Sequence, residues 1–141
     1  MSLTKAMDIL SSGLHAQRIR MNITSSNLAN AHTTRTVDGT PFRRKDPVFE
    51  SSQLDPNSAN FDNTLQKVQV TGVTDDLTPF PEVYDPGHPD ADAKTGMVKM
   101  PNVNVVEEMV NLITASRSYE ANVTAFETLK QMAVKAMDIG R

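Results

Sequence analysis

The sequence predicts a mainly α protein: long N- and C-terminal helices forming a coiled-coil-like layer, with a small irregular/β middle region. Three observations carry that prediction. All eight prolines lie between Pro41 and Pro101, and proline breaks helix interiors. At both ends apolar residues recur in steps of three and four, the spacing of one helix face. Asn104, with Glu107 three residues later, reads as a helix start of the capping-box kind. The chain divides accordingly into residues 1–31 (first helix), 32–103 (turn-rich middle with short strands) and 104–141 (second helix), the two helical parts together making one inner domain.

The first helix is expected from about Leu3 to about Leu28, with Ser2 as N-cap. Leu3, Met7, Leu10, Leu14, Gln17, Met21, Thr24 and Leu28 form a heptad seam interrupted by polar residues. The helix would be roughly 40 Å long. The second helix is expected from Val105 to about Asp138, on the order of 50 Å, with Gly140 as its stop. Its seam runs through Val105, Met109, Leu112, Ser116, Tyr119, Val123, Phe126, Lys130, Ala133 and Met137. Ile9, Ile19 and Ile23 lie off the first seam, and Val106, Ile113, Leu129, Met132 and Val134 off the second. Two helices paired only with each other would leave those side chains wet, which predicts a second contact surface.

In the middle, Asp38-Gly39 is a hairpin-type turn signal. Val48-Phe49, Gln66 to Val73 (broken at Gly72), Val83-Tyr84 and Met97-Val98 read as short strands. Pro56 to Asn63 reads as a mobile loop. These pieces suffice for a small β element without a large core of its own.

Composition narrows the function classes. The chain has 141 residues, 38% hydrophobic and 22% charged, with only 5% aromatic and no Trp, so it is globular but poor in core-anchoring rings. Fourteen basic against 17 acidic residues give a net charge of -3, the wrong sign for a phosphate-backbone binder, so no nucleic-acid partner is expected. The absence of cysteine excludes disulfides, thiol nucleophiles and thiolate metal sites. No apolar run reaches the roughly 18 residues of a membrane span. Lys5 and Asp8 interrupt the N-terminal apolar residues, so no cleavable signal peptide is expected.

Chemistry is hard to find. His15 lies beside the first seam as a surface or interface residue. Asp85, His88, Asp90 and Asp92 crowd one turn-rich segment, the densest set of metal-ligand types. Asp90 and Asp92 imitate the start of a calcium loop, but Lys94 takes a ligand position, Gly96 comes one residue late, and Pro101 stands where the bidentate acid belongs. The segment reads as a solvated acidic loop. Arg43, Arg44 and Lys45 form a short basic cluster, suited to an acidic patch on a neighbouring subunit. Neither a catalytic constellation nor a cofactor or metal site is expected, so the chain is read as a non-enzyme. On residues alone, a polymer subunit, a cytoplasmic coiled-coil adaptor and a small enzyme or metal-binding domain around His88 stay open.

The end of the first helix reads Ser25-Ser26-Asn27-Leu28-Ala29-Asn30-Ala31-His32-Thr33-Thr34. Asn27 and Asn30 bracket a helix terminus, where Asn tolerates the left-handed conformation and its amide can bind loose carbonyls. The same run resembles the Asn-Leu-Ala-Asn signature of the bacterial flagellar rod and hook proteins. Ala115-Ser116-Arg117-Ser118-Tyr119-Glu120-Ala121-Asn122 resembles that family's C-terminal helix motif. Within the family the proximal-rod branch fits best, on Phe42-Arg43-Arg44-Lys45 with Val48-Phe49, on Tyr84-Asp85-Pro86-Gly87-His88-Pro89 with Ala91-Asp92, and on the run from Gly96 to Val106. A sister rod or hook subunit is the nearest alternative, and Ser51 to Pro79 carries little of the likeness.

The resemblance implies a subunit that polymerises helically with itself and with other rod proteins (FlgB, FlgF, FlgG and FliE) into the hollow drive shaft of the basal body. It would cross the periplasm and be delivered by the flagellar type III export apparatus. Asn27, Leu28, Asn30, Leu112, Tyr119, Asn122, Val123 and Phe126 become candidate assembly residues. Phe61 and Leu65 carry the Phe-x-x-x-hydrophobic spacing of a candidate export motif. Terminal helices are expected to be poorly ordered in dilute monomer, because ordering entropy is offset only on assembly. If Leu112 and Phe126 are buried, truncation to Ala should cost roughly 2–5 kcal/mol each.

Overall fold

The computed structural model describes residues 3–54 and 65–139. Its elements run α1 (Leu3–Ala29), β1 (Lys45–Gln53), β2 (Gln66–Asp75), β3 (Glu82–Tyr84), β4 (Met97–Lys99) and α2 (Val105–Ile139). The expected Ser2 N-cap, the Gly140 stop and the Pro56 to Asn63 loop lie outside the described residues.

Both helix boundaries fall within a residue of expectation at the described ends, for local reasons. The Asn104 side-chain oxygen accepts the backbone N–H of Val106 (3.1 Å) and of Glu107 (3.4 Å), satisfying donors that the first helical turn leaves free. Glu107 and Glu108 place negative charge beside the positive end of the helix dipole. At the other boundary α1 tapers through short-range bonds, Asn30 N–H to the Ser26 and Asn27 carbonyls and Thr33 N–H to Asn30 O.

The helices pack antiparallel. Gly13 faces Asn122, Arg20 Nη2 donates to Asn111 Oδ1 (3.4 Å), and Asn27 Nδ2 donates to Glu108 Oε2 (3.1 Å). Numbers rise on one helix as they fall on the other, and the last turns of α2 run past the described start of α1. A Cβ on Gly13 would sit 3.2 Å from Asn122 Nδ2, a tight contact that a shift of a few tenths of an ångström in the Asn122 amide would relieve. The buried row is displaced from the sequence seam: Ala16, Thr24 and Asn27 on α1, Glu108 and Ala115 on α2 are buried, and only Thr24 belongs to the expected seam. Leu10, Leu14, Met21, Leu28, Leu112, Tyr119, Val123 and Phe126 flank it half-buried, while Met109, Lys130 and Met137 are exposed. Around Ala16 and Ala115 the physical reason is distance, since small side chains bring the backbones close and larger ones are displaced to the sides; Asn27 and Glu108 are buried instead by bonding to each other and to Arg44.

β1 and β2 form an antiparallel hairpin in register from Lys45↔Asp75 to Gln53↔Gln66. Val48 pairs with Gly72 and Phe49 with Val70, so Thr71 is an extra residue, a β-bulge beside the glycine. The strand expected to break at Gly72 therefore continues through it. The hairpin packs on α1, where the Ser12 hydroxyl accepts Val68 N–H (3.2 Å) and donates to Ile9 O (2.7 Å). β3 and β4 pair over three residues, with Val98 buried between them and the rest of the chain. Gly96 ends that ribbon at φ +67°, with the Tyr84 ring 2.9 Å from where a Cβ would stand. The Asp38-Gly39 turn forms, with Gly39 at φ +76° and Gly39 N–H bonded to Thr36 O (2.9 Å), but it closes a loop rather than joining two strands.

Candidate functional site

Two features of the chain stand out: a buried polar junction where α1, β1 and α2 meet, and an uncovered apolar face on α2. The junction grows from Asn27. Its Nδ2 donates to Lys45 O (2.8 Å) and its Oδ1 accepts Lys45 N–H (3.0 Å), so the side-chain amide pairs with a backbone peptide as a neighbouring strand would. The same Nδ2 reaches Glu108 Oε2, and Glu108 is 1% exposed. Arg44 completes the charge balance, its Nε 2.7 Å from Glu108 Oε1, with Asp46 hydrogen-bonded and Asp76 3.6 Å away. Burial pulls the Arg44 pKa down, but hydrogen bonds and charge from Asp46 and Glu108 outweigh it and hold the guanidinium above its ordinary value. Thr78 donates backbone N–H to Asp76 Oδ1 (2.9 Å); this bond, the Thr78 hydroxyl and the two arginines hold the Asp76 carboxyl below its ordinary value.

Asn102 repeats the device one layer out. It accepts Arg44 N–H (2.8 Å) and donates to Asp76 O (3.0 Å) and to the Thr78 hydroxyl (2.9 Å). Arg43 donates to Asp76 O (2.7 Å) and lies 4.4 Å from the Phe80 ring centroid. The basic cluster assigned by sequence to a neighbouring subunit is thus largely spent inside the chain. Its two arginines are half-buried in this junction, and only Lys45 is exposed. The reason is that Glu108 and Asp76 reach it from two remote segments, which sequence order conceals.

The other expected site residues sort by contact. Asn30 Nδ2 donates to Ser26 O (2.9 Å), a carbonyl that already accepts the Asn30 backbone N–H, and its Oδ1 accepts the Thr33 hydroxyl (3.3 Å). Neither asparagine uses the left-handed region, since among the described residues only Gly39 and Gly96 have positive φ. Tyr119 lines a groove with Ser11, Leu14, His15 and Arg18 on α1. Asn122 packs on Gly13. Leu28, Leu112, Val123 and Phe126 are half-buried, so in the single chain truncation of Leu112 or Phe126 falls below the full-burial cost given above. Leu65 O accepts Leu54 N–H (3.2 Å) beyond the paired ends of β1 and β2. Phe61, the other half of the candidate export motif, lies outside the described residues.

The acidic loop does not converge. Asp85 Oδ1 accepts Gly87 N–H (3.1 Å), Asp92 Oδ1 accepts Lys94 N–H (3.1 Å), Asp90 accepts the Thr34 hydroxyl (2.8 Å), and His88 Nδ1 accepts Asp90 N–H (3.1 Å). Asp85, His88 and Asp92 cap their own turns while Asp90 is held by Thr34 and Arg35 (3.6 Å), and among the described residues no three such groups are placed to hold a metal ion.

The second feature is the far side of α2. Val106, Met109, Val110 and Ile113 are 50–70% exposed and fall at helical spacings of three and four, on the opposite side from Glu108 and Ala115. Among the described elements, α2 packs extensively only against α1. Arg117 and Glu120 are exposed further along the helix. Among the described residues no helix is long and apolar enough to cross a membrane.

The residues that the sequence reading missed are Glu108, Asn102, Asp46 and Asp76. Glu108 lies seven residues before Ala115, on the same face of α2, but the expected seam passes through neither, so no sequence signal marks it as buried.

Comparison with known proteins matches two families to the two ends of the chain: "Flagella basal body rod protein" over residues 7–35 and "Flagellar basal body rod FlgEFG protein C-terminal" over residues 94–139. The chain is 45% identical to the flagellar basal-body rod protein FlgC of Escherichia coli O157:H7, over 100% of both chains. It is 42% identical to FlgC of Bacillus subtilis strain 168, again over 100% of both. With FlgC of Aquifex aeolicus it shares 45% identity over 94% of this chain and 92% of that one.

Proposed function

This chain belongs to the FlgC family of flagellar basal-body rod proteins, and from that premise we propose that it polymerises helically as a structural subunit of the proximal rod, with no enzymatic activity. The observation that carries this reading is the stripe Val106, Met109, Val110 and Ile113, left uncovered on α2 while α1 occupies the opposite side. A lone soluble chain has no use for four large apolar side chains in one row. Neighbouring subunits that cover the remaining half of each would gain on the order of 1 kcal/mol per side chain. Repeated at every subunit, that suffices to bias a marginal chain toward polymer.

In this proposal the α1–α2 pair forms a coiled-coil-like inner layer of the shaft, and the β1–β2 hairpin lies outside it. Asn27, Leu28, Asn30, Leu112, Tyr119, Asn122, Val123 and Phe126 act by shaping the helix pair that neighbours contact. Its partners are further copies and the other rod proteins FlgB, FlgF, FlgG and FliE, and delivery to the periplasm-spanning rod is through the flagellar type III export apparatus. The hairpin's fixed attachment to α1 argues against a plain coiled-coil adaptor in the cytoplasm, which needs no such outer element.

The test is an in-frame deletion of the gene followed by electron cryotomography of the cell envelope. Export machinery in place with no completed rod is the expected result. Intact basal bodies and normal filaments would remove the rod reading.

A further inference from the structure

Glu108 is a buried charge in a helix pair whose fully buried apolar residues are small. Among the described residues the buried hydrophobics are Ala16, Ala31, Val98 and Ala115. Such a contact marks register poorly. Leu14, Met21 and Leu28 recur every seven residues on α1, as do Leu112, Tyr119, Phe126 and Ala133 on α2, so a pairing slipped by one heptad again brings like residues together. One group does not tolerate the slip. It would carry Glu108 away from Asn27 and Arg44, breaking both of the bonds by which this carboxylate ties α2 to the end of α1 and the start of β1.

We infer that the Asn27–Glu108–Arg44 junction, rather than the apolar seam, sets the register of the helix pair and fixes the hairpin to it. The geometry supports both halves. Asn27 holds Glu108 across the helix contact (3.1 Å) and holds both polar groups of the Lys45 peptide at the start of β1. Arg44, next to that peptide, closes the triangle on Glu108 (2.7 Å). Buried ion pairs add little net stability over well-packed apolar residues of the same size, and their best-attested use is to fix register, as a single buried polar residue does in a coiled coil. A polymer needs that discrimination, because one misregistered subunit spoils contacts that repeat. Asn27 and Glu108 are positioning residues in this sense, and the inference concerns the single chain, so it stands or falls separately from the place of the subunit in the rod.

The chain contains no cysteine, so engineered pairs report on their own. Gly13→Cys with Asn122→Cys spans residues that face each other. Gly13→Cys with Ala115→Cys is one heptad removed, about 10 Å along the helix and beyond disulfide reach. Both pairs are oxidised in the purified full chain, in trimethylamine N-oxide at a level where far-ultraviolet circular dichroism shows both helices formed. With the junction intact, the first pair closes and the second closes to less than about a tenth of that extent. In the apolar background Asn27→Leu, Arg44→Met, Glu108→Leu, helix content is retained and closure of the second pair rises roughly tenfold. A folded triple variant whose second pair stays open overturns the inference. Should the triple variant lack full helix content, Glu108→Leu alone, which removes both bonds across the contact and leaves Arg44 beside Asp46 and Asp76, is read the same way, and an unchanged closure ratio overturns it equally.

Discussion

Asn27 and Asn30 stand three residues apart in one motif and look equivalent in sequence, yet their truncation to Ala should differ by about 3 kcal/mol. Asn27→Ala removes three hydrogen bonds. Two are neutral bonds to the Lys45 peptide, worth about 1 kcal/mol each. The third donates to a carboxylate that is 1% exposed, and bonds to charged groups are worth about 1.5–3 kcal/mol. Lys45 is exposed, so water recovers part of the first two, which leaves a cost of roughly 3–4 kcal/mol. Asn30→Ala removes an exposed bond to Ser26 O and a 3.3 Å contact with the Thr33 hydroxyl, which water replaces at a cost of about 0.5 kcal/mol. The difference is a factor of about a hundred in the folding equilibrium. Urea unfolding of the two variants, followed by circular dichroism in the same trimethylamine N-oxide buffer, measures it. Equal midpoints at equal slope would refute the reasoning, because they would mean that Asn27 Nδ2 is not holding Glu108.

Three further outcomes follow from single observations. Gln17 has a buried side-chain oxygen without a partner among the described residues, so Gln17→Leu should stabilise the chain by about 1 kcal/mol in the same titration. Gly96→Ala combines positive φ with a Cβ 2.9 Å from the Tyr84 ring; the ring is exposed and can shift, which leaves a loss of about 1–2 kcal/mol, chiefly from the backbone. The folded-state pKa of Asp76 lies below its ordinary value, so its contribution is complete above about pH 4 and is lost as pH falls further; Asp76→Asn should flatten the acid-side fall in Tm and leave the neutral side parallel to wild type.

The helices were legible in the sequence because their signals are local. Proline exclusion, the Asn104 cap and three-four spacing each act within a turn or two, and α1 and α2 follow them to within a residue. The strands were legible only as positions. Their pairing depends on Thr71 being extruded as a bulge, which Gly72 signals as a break rather than as a continuation. The centre of the helix contact was misplaced because periodicity ranks residues by hydrophobicity, whereas close approach favours the smallest, so Ala16 and Ala115 took the place expected of leucines. The junction was hidden for another reason. Asn27, Arg44, Asp76, Asn102 and Glu108 come from five separate stretches, and each alone looks like a surface residue. Motif resemblance pointed to Asn27 but gave it no partner.

In the proposed rod, the exposed stripe of α2 carries the contacts between subunits. The decisive measurement complements the deletion strain with Val110→Asp, Ile113→Asp and images the basal bodies by electron cryotomography. Both side chains are more than half exposed in the single chain, so the purified variant should keep wild-type helix content in trimethylamine N-oxide. Export machinery without a completed rod is the expected result in those cells. Complete rods and normal swimming with the doubly charged face would contradict it.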